Sequence, residues 1–306
     1  MGKRQRPEWH KDLKRCTRLY EGFADAAPFF TAMYECVDTF FADRTVTSAP
    51  PVDPEEAEEG LRSGISLKVD LDLHTQNVAD LLQRMSVVLA EANPELKGPA
   101  GVLRKYAEEL AVQSPEAIGK HDVRELCDRL VADEGWEQDL ATFVYTLTLS
   151  SFYKRCLQDT AEALRTGLWI EGHCPLCGEK PHYGVLRADD GAKELQCWLC
   201  GTKWVHTRIR CPYCDNEEQE DLAYFTVDGH ETCRVNICRR CHQYCKVTDG
   251  RRLKGGGQVF LDIHNLASLS YDLTARQEGF SPGSGLQWVN AEEMVCRQEG
   301  IEKTAN

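Results

Sequence analysis

Four Cys-x-x-Cys pairs lie close together between Cys174 and Cys241, and they constrain the fold more than any other feature of the chain. The pairs read CPLC, CWLC, CPYC and CRRC. Each pair can place two thiolates on one side of a tight turn. Two such turns, joined by a hairpin, enclose a tetrahedral position with four sulfur ligands. The sequence therefore predicts two metal sites in tandem.

The spacing of the cysteines divides them into two sets of ligands. The first set reads C-x2-C-x19-C-x2-C and has the spacing of a zinc-type site, and the second, C-x2-C-x23-C-x2-C, is slightly longer. The predicted ligands are Cys174, Cys177, Cys197 and Cys200 in the first site, and Cys211, Cys214, Cys238 and Cys241 in the second. Four thiolates accept zinc or a single iron, so the pattern leaves the metal open. Because the protein fills all four positions, the pattern does not favour metal-assisted hydrolysis. The sequence also shows no nucleophile–base motif, Gly-rich phosphate loop or acid/base pair that would favour other catalysis.

The residue that follows each pair bears on how well the turn can form. A turn that wraps a thiolate favours a residue that tolerates positive φ at this position. Gly178 and Gly201 provide it in the first site, whereas the second site has Asp215 and His242. We expect positive φ to be least favourable at His242 among the four positions.

Two other interpretations of the pairs are weaker. Unliganded core thiols rarely occur as four pairs at matched spacing. Thiol–disulfide exchange usually depends on one exposed pair at the start of a helix in a βαβ unit, a pattern this segment lacks.

The remaining cysteines have simpler interpretations. Cys16, Cys127 and Cys156 continue apolar helical stripes and are predicted to be small core residues. Cys233 and Cys245 fall within the predicted strands of the second module, and Cys245 is an alternative ligand to Cys238 or Cys241. The histidines near the sites, His173, His206 and His242, are predicted to be exposed or to lie just outside the thiolates.

The pattern of apolar residues predicts an α+β protein. Apolar residues recur at helical spacing from Trp9 onward, and residues 137–165 are apolar on several sides, as in the centre of a helical bundle. Near Gly167 the period changes to that of strands. Strands are predicted at 182–186, 194–196 and 203–210, and again at 222–227, 232–237 and 244–248. A pair, a hairpin, a second pair and a strand thus occur twice.

These segments divide the chain into three predicted parts. Residues 1–170 form a helical domain, and residues 171–254 form tandem metal-binding modules at 171–210 and 211–254. Residues 255–306 supply a C-terminal helix and a tail. Leu266, Leu269 and Leu273 are predicted to line the inner face of that helix, with Asp272, Arg276 and Glu278 outward. Trp198, Tyr213 and Tyr244 are predicted to be exposed anchors for a partner.

Charge and cysteine content limit the classes of function. The net charge is −13, but residues 172–254 carry 13 Lys and Arg against 12 Asp and Glu, so the modules are nearly neutral and do not favour nucleic-acid binding. The odd total of 15 cysteines suits a reducing compartment better than a disulfide framework. The amino terminus lacks the pattern of a secretory signal, and the longest apolar stretch is too short to cross a bilayer. We therefore expect a soluble, cytoplasmic protein.

The same residues resemble a known family. The pairs CPLCG, CWLCG, CPYCD and CRRC, followed by Leu266-Ala267-Ser268-Leu269, Asp272 and Glu278-Gly279-Phe280, are similar to those of the FdhE family of formate dehydrogenase accessory proteins. The resemblance is specific over about residues 168–282. It implies two rubredoxin-like (zinc-ribbon-like) four-cysteine modules holding iron, and a non-catalytic role in forming active formate dehydrogenase through contact with its catalytic subunit.

Two alternatives come from other classes of protein. The first is a rubredoxin-like iron electron carrier, although a dedicated carrier would hardly need a large helical region. The second is a zinc-ribbon nucleic-acid-binding protein, against which the charge distribution argues.

Overall fold

The structure is a computed structural model of the 306-residue chain. It describes residues 9–20, 22–42, 44, 52–113, 116–164, 166–227, 231–253 and 259–284. The predicted Gly255–Gly257 link and the tail after residue 284 lie outside these ranges.

Helices dominate the first half of the described chain, as the periodicity predicts. Their bounds are α1 Trp9–Leu19, α2 Phe23–Ala42, α3 Pro54–Arg62, α4 Thr75–Ala92, α5 Lys97–Gln113, α6 Lys120–Ala132 and α7 Gln138–Ala163. Short 3-10 helices lie at Pro94–Leu96 and Thr166–Leu168, and the two-residue strands β1 (Leu73–His74) and β2 (Ala117–Ile118) pair with each other. Asp53 caps α3 by accepting the N–H groups of Glu55 and Glu56, which satisfies donors that a helix start leaves free.

The second half builds one sheet from the two cysteine modules. Its strands are β3 Pro181–Leu186, β4 Lys193–Cys197, β5 Lys203–His206, β6 Leu222–Phe225, β7 Cys233–Cys238 and β8 Gln243–Asp249. These match the six predicted strands, except that β5 ends at His206 and not at residue 210, and β6 ends at Phe225 and not at residue 227. The mixed fold with helices first and two four-cysteine clusters after them is therefore confirmed.

The two modules join head to tail within this sheet. The strand order is β5-β4-β3-β8-β7-β6, so each module contributes its third, second and first strand in the same order. The junction is a parallel pairing of β3 with β8, in which Tyr183 faces Lys246 and Leu186 faces Asp249. The remaining neighbours along this order are antiparallel. The spacing of the cysteines predicts the hairpins but not this junction.

Two buried clusters hold the helices to the sheet. One joins α2, α4, α5, α6 and α7 to the four cysteines of the first module, and the other joins α1 and the start of α2 to β3, β7 and β8. Both clusters cross the boundaries of the three-part division, which itself stays a prediction. Within the described residues, none of the helices combines the length and apolar character needed to cross a bilayer.

The C-terminal region differs from the expected single helix. It forms α8 (Leu261–Ala267), α9 (Leu269–Gln277) and the short strand β9 (Ser281–Pro282), with a break at Ser268. The buried Lys246 ammonium donates hydrogen bonds to the carbonyls of Asn265 and Ser268, and these bonds account for the break. Leu269 and Leu273 are 50% and 58% exposed, so their predicted inward packing is wrong.

The opposite face of α9 packs inward. Tyr271 and Ala275 are buried, and the Asp272 carboxylate accepts hydrogen bonds from Tyr244 and Lys246. The predicted outward position of Asp272 is therefore also wrong.

Candidate metal centres

The first centre brings together the four cysteines that the sequence predicts. The Sγ atoms of Cys174 and Cys200 lie 3.5 Å apart, as do those of Cys177 and Cys197. All four Sγ atoms lie within 4.8 Å of one another, and all four residues are buried. Cys174 and Cys177 precede β3, Cys197 ends β4 and Cys200 follows it, so the β3–β4 hairpin brings the two pairs together.

The second centre repeats this arrangement around β6 and β7. The Cys211 and Cys241 Sγ atoms lie 3.7 Å apart, as do those of Cys214 and Cys238. Again the four Sγ atoms lie within 4.8 Å of one another, but Cys214 and Cys241 are only half-buried. The same fold element therefore yields two centres that differ in exposure.

The backbone of each turn follows one plan. In the first three pairs, the first cysteine's N–H donates to the carbonyl five residues later: Cys174 to Glu179, Cys197 to Thr202 and Cys211 to Asn216. The residue after each second cysteine has a positive φ, and its values are 82° at Gly178, 73° at Gly201, 58° at Asp215 and 54° at His242. The predicted turn geometry is confirmed at all four positions, including the two that lack glycine.

The donor set fits a tetrahedral metal. A metal–sulfur bond of about 2.3 Å gives a tetrahedron whose edges measure about 3.8 Å, close to the sulfur separations in both centres. The thiols of each centre share hydrogen bonds, so their pKa values move in opposite directions, and the bond between Cys211 and Cys241 raises the pKa of Cys241. The hydrogen bond with Cys241 lowers the pKa of Cys211 to about 5, against the opposing effect of burial. Burial raises the pKa of Cys200, but hydrogen bonds with the other three thiols outweigh it and lower that pKa well below its usual value. Both centres could therefore hold zinc or iron, and this donor set does not choose between them.

Two segments from the first half of the chain cover the first centre. The backbone N–H groups of Leu67 and Val69 donate to the carbonyls of Pro175 and Leu176, so an extended segment lies across the first turn. From α7, the ring of Tyr145 packs against Trp198 at 5.9 Å between centroids. Trp198 is only 3% exposed, so the prediction that it is an exposed anchor is wrong.

The turn of the second centre docks directly on the first module. A Cβ at Gly172 would lie 2.1 Å from the Pro212 carbonyl oxygen, so only glycine allows this approach. Lys180 Nζ donates to the same carbonyl at 3.3 Å, and the Tyr213 hydroxyl donates to the Pro181 carbonyl at 3.2 Å. Tyr213 is therefore half-buried at this contact, and Tyr244 is buried, so neither is the exposed anchor predicted.

The other candidate residues lie outside the two clusters. Cys233 is buried with its Sγ 3.3 Å from the Tyr183 hydroxyl, and Cys245 is buried on β8. Neither joins a four-cysteine group among the described residues. His242 is exposed and stacks on Phe280, whereas His206 is buried and its Nδ1 contacts the Thr207 carbonyl.

A protein-family model matches the segment that holds the first centre. The family model for the FdhE central domain matches residues 173–208, which contain the whole first site. An FdhE homolog of Haemophilus ducreyi is 31% identical over 165 residues, covering 52% of each chain. An FdhE homolog of Aquifex aeolicus is 34% identical over 115 residues, or 37% of this chain and 40% of that protein. Over these segments the chain is similar to proteins of the FdhE family.

The similarity to FdhE proteins extends beyond the first site. Protein FdhE of Salmonella paratyphi A is 25% identical over 224 residues, which cover 71% of this chain and 68% of that protein. The crystal structure of the FdhE protein from Pseudomonas aeruginosa matches 91% of this chain and 94% of that one, with a TM-score of 0.57 and 19% identity. The FdhE fold is therefore shared across nearly the whole chain, although the matches to the first two relatives span about half of their length or less.

Proposed function

We propose that this chain is a non-catalytic accessory protein for the formation of active formate dehydrogenase. In this proposal it binds the catalytic subunit of that enzyme in the cytoplasm, and each cluster holds one iron or zinc ion through its four cysteines. The observation that carries the proposal is the pair of closed four-thiol clusters in a chain that is similar to FdhE proteins. A bound metal in such a cluster crosslinks two turns and stabilises the module around them.

The chemistry of the clusters supports a role in binding over one in catalysis. Four protein thiols occupy the tetrahedron, so a bound metal has no free position at which to activate water. The apolar side chains of Leu269 and Leu273 lie on the exposed side of α9 and offer a surface for a partner.

A deletion strain and a tagged protein test the proposal together. We expect deletion to abolish formate dehydrogenase activity, wild-type protein to restore it, and the tagged protein to recover the enzyme's catalytic subunit. A Leu269→Glu/Leu273→Glu variant should fold and bind metal normally but recover less subunit. A variant with Arg104→Gln on α5 is the matched surface control. Full enzyme activity in the deletion strain, with no subunit recovered, would contradict the proposal.

A rubredoxin-like electron carrier is the second candidate. The observation that favours it is the partial exposure of Cys214 and Cys241, because electron exchange requires access to the metal site. An iron-loaded protein that undergoes reversible reduction, together with normal enzyme activity in the deletion strain, would select this function. Elemental analysis and an absorption spectrum of protein purified without air identify the metal.

A further inference from the structure

A cleft of approximately 520 Å³ opens between the two modules on one face of the sheet. Its walls come from β4, from β6, β7 and β8, and from the connecting residues 208–213. Four cationic residues line it, namely Lys193, Arg208, Arg210 and Arg234. None of the described lining residues is Asp or Glu, although the whole chain carries a net charge of −13. The cleft is thus a concentration of positive charge on an acidic protein.

Lys193 is a buried cation at this cleft. The residue is only 3% exposed, and its ammonium contacts the carbonyls of Arg208 and Arg210 at 3.5 and 3.3 Å. Burial lowers the pKa of Lys193 to about 8. None of the described carboxylates is among the groups that shift its pKa, so the charged ammonium is held at a cost that an anion in the cleft would offset.

Arg234 has an unused donor in the same place. Its guanidinium lies 4.9 Å from the centroid of the Tyr224 ring, and its buried Nε has no hydrogen-bond partner. Burial and the neighbouring Arg208 lower the pKa of Arg234. Arg210 differs, because ion pairs with Glu171 and Asp215 already neutralise it. Three cations therefore remain available to a ligand: Lys193, Arg208 and Arg234.

The apolar part of the wall indicates that the ligand is more than a bare anion. Leu195, Ile237 and the exposed Tyr224 ring provide surface for an organic group beside the cations. The volume falls within the range of about 300–1,000 Å³ that is typical of small-molecule sites. Arginine forks match the oxygens of phosphate in pairs.

We propose that this cleft binds a phosphate-bearing small molecule of nucleotide size, whose phosphates contact Arg208, Arg234 and Lys193. The organic part of the ligand lies on Tyr224 and the apolar wall. Two cysteines of the second centre, Cys211 and Cys238, line the same cleft, so the ligand lies against that centre. This site is independent of the proposed role in forming formate dehydrogenase.

Isothermal titration calorimetry on the full metal-loaded chain tests the site with three probes. We expect ADP to bind, pyrophosphate to bind more weakly, and the uncharged adenosine not to bind. The double variant Arg208→Gln/Arg234→Gln should weaken ADP binding at least tenfold. The matched control is Arg104→Gln, which removes an exposed arginine on α5. Metal content measured after each titration shows whether a probe has merely extracted the metal.

Each outcome decides a part of the proposal. Absence of ADP and pyrophosphate binding at millimolar concentration, or unchanged binding by the folded double variant, would overturn it. Equal binding of ADP and pyrophosphate would retain the anion site and overturn the assignment of an organic group. Binding of a hexaglutamate peptide that neither phosphate probe displaces would instead identify the cleft as a contact for an acidic protein segment. A second variant, Lys193→Met, should weaken the binding of pyrophosphate and of ADP alike.

Discussion

The ammonium of Lys246 lies 2.5 Å from the carboxylate of Asp272, and this ion pair fastens the C-terminal helices to the second cysteine module. Lys246 belongs to β8 and is 2% exposed, whereas Asp272 belongs to α9. The Tyr244 hydroxyl donates to the other carboxylate oxygen at 2.6 Å. The pair explains why an aspartate stands three residues after Leu269: its carboxylate neutralises the buried Lys246 ammonium.

Removing the carboxylate should be costly. We expect Asp272→Ala to lower the free energy of unfolding by about 3–5 kcal/mol, because it leaves the Lys246 ammonium buried without its counter-ion. Denaturant unfolding of the metal-loaded chain measures the loss. The control is Asp139→Ala, since Asp139 is 79% exposed and lies 3.5 Å from Arg276. That change should cost less than about 1 kcal/mol, and equal losses in the two variants would contradict the account.

Replacing a cysteine of either cluster should remove one metal ion from the chain. Cys174→Ser and Cys211→Ser should each lose one metal equivalent per chain, and the double variant should lose both. Cys245→Ser should keep two equivalents, because Cys245 lies outside both clusters. Elemental analysis gives the count. Retention of two metals in Cys174→Ser, or loss of one in Cys245→Ser, would show that the ligands are wrongly assigned.

The two centres should release metal in a fixed order. The first centre has four buried cysteines, whereas Cys214 and Cys241 of the second are half-buried and more open to a chelator. We expect the second centre to lose its metal first when a chelator is added. Comparing Cys211→Ser, which retains only the first centre, with Cys174→Ser, which retains only the second, separates the two rates. Faster release from Cys211→Ser would reverse the order.

Close contact between the modules should depend on Gly172. Gly172→Ala places a methyl group against the Pro212 carbonyl, and we expect a loss of about 1–3 kcal/mol in stability and faster release of metal from the second centre. Thermal unfolding and chelator kinetics measure the two effects. Gly167→Ala is the matched control, because a Cβ there meets no atom within 4 Å. If both variants behave alike, the contact is not tight in solution.

His242 allows the cost of its backbone conformation to be measured. It holds a φ of 54°, which favours glycine. We expect His242→Gly to be more stable than His242→Ala by about 1 kcal/mol, because both variants lose the imidazole ring but only alanine keeps a Cβ. Stacking of the ring on Phe280 is lost equally in both variants, so it does not affect the comparison. An alanine variant as stable as the glycine variant would show that the turn is not strained.

Local features of the sequence predict much of both candidate sites. The spacing of the pairs identifies all eight clustered cysteines, and the residues after them identify the turns with positive φ, because these properties depend on a few neighbouring residues. Short strand-like runs between turn residues likewise predict the six main strands, although β3 and β8 are buried along most of their length and do not alternate.

Long-range pairing accounts for what the sequence does not predict. The helical spacing of Leu269 and Leu273 shows that they share one face of α9 but not whether that face is buried. The Lys246–Asp272 ion pair turns the opposite face inward. The parallel junction of β3 and β8 joins residues about 60 positions apart, and its register depends on packing from both modules. The sequence does not predict the cationic cleft either. Lys193 and Arg234 come from different modules, and only the joined sheet brings them together.

The head-to-tail junction makes the duplicated modules inequivalent. A two-fold arrangement would pair like strand with like strand and give both copies the same neighbours. Here the first strand of one module meets the last strand of the other, so the contact is not reciprocal. One copy is enclosed by the helices, and the other keeps two half-buried ligands. A duplication joined in this way lets one copy serve as a fixed support while the other changes its exposure and its turn residues independently.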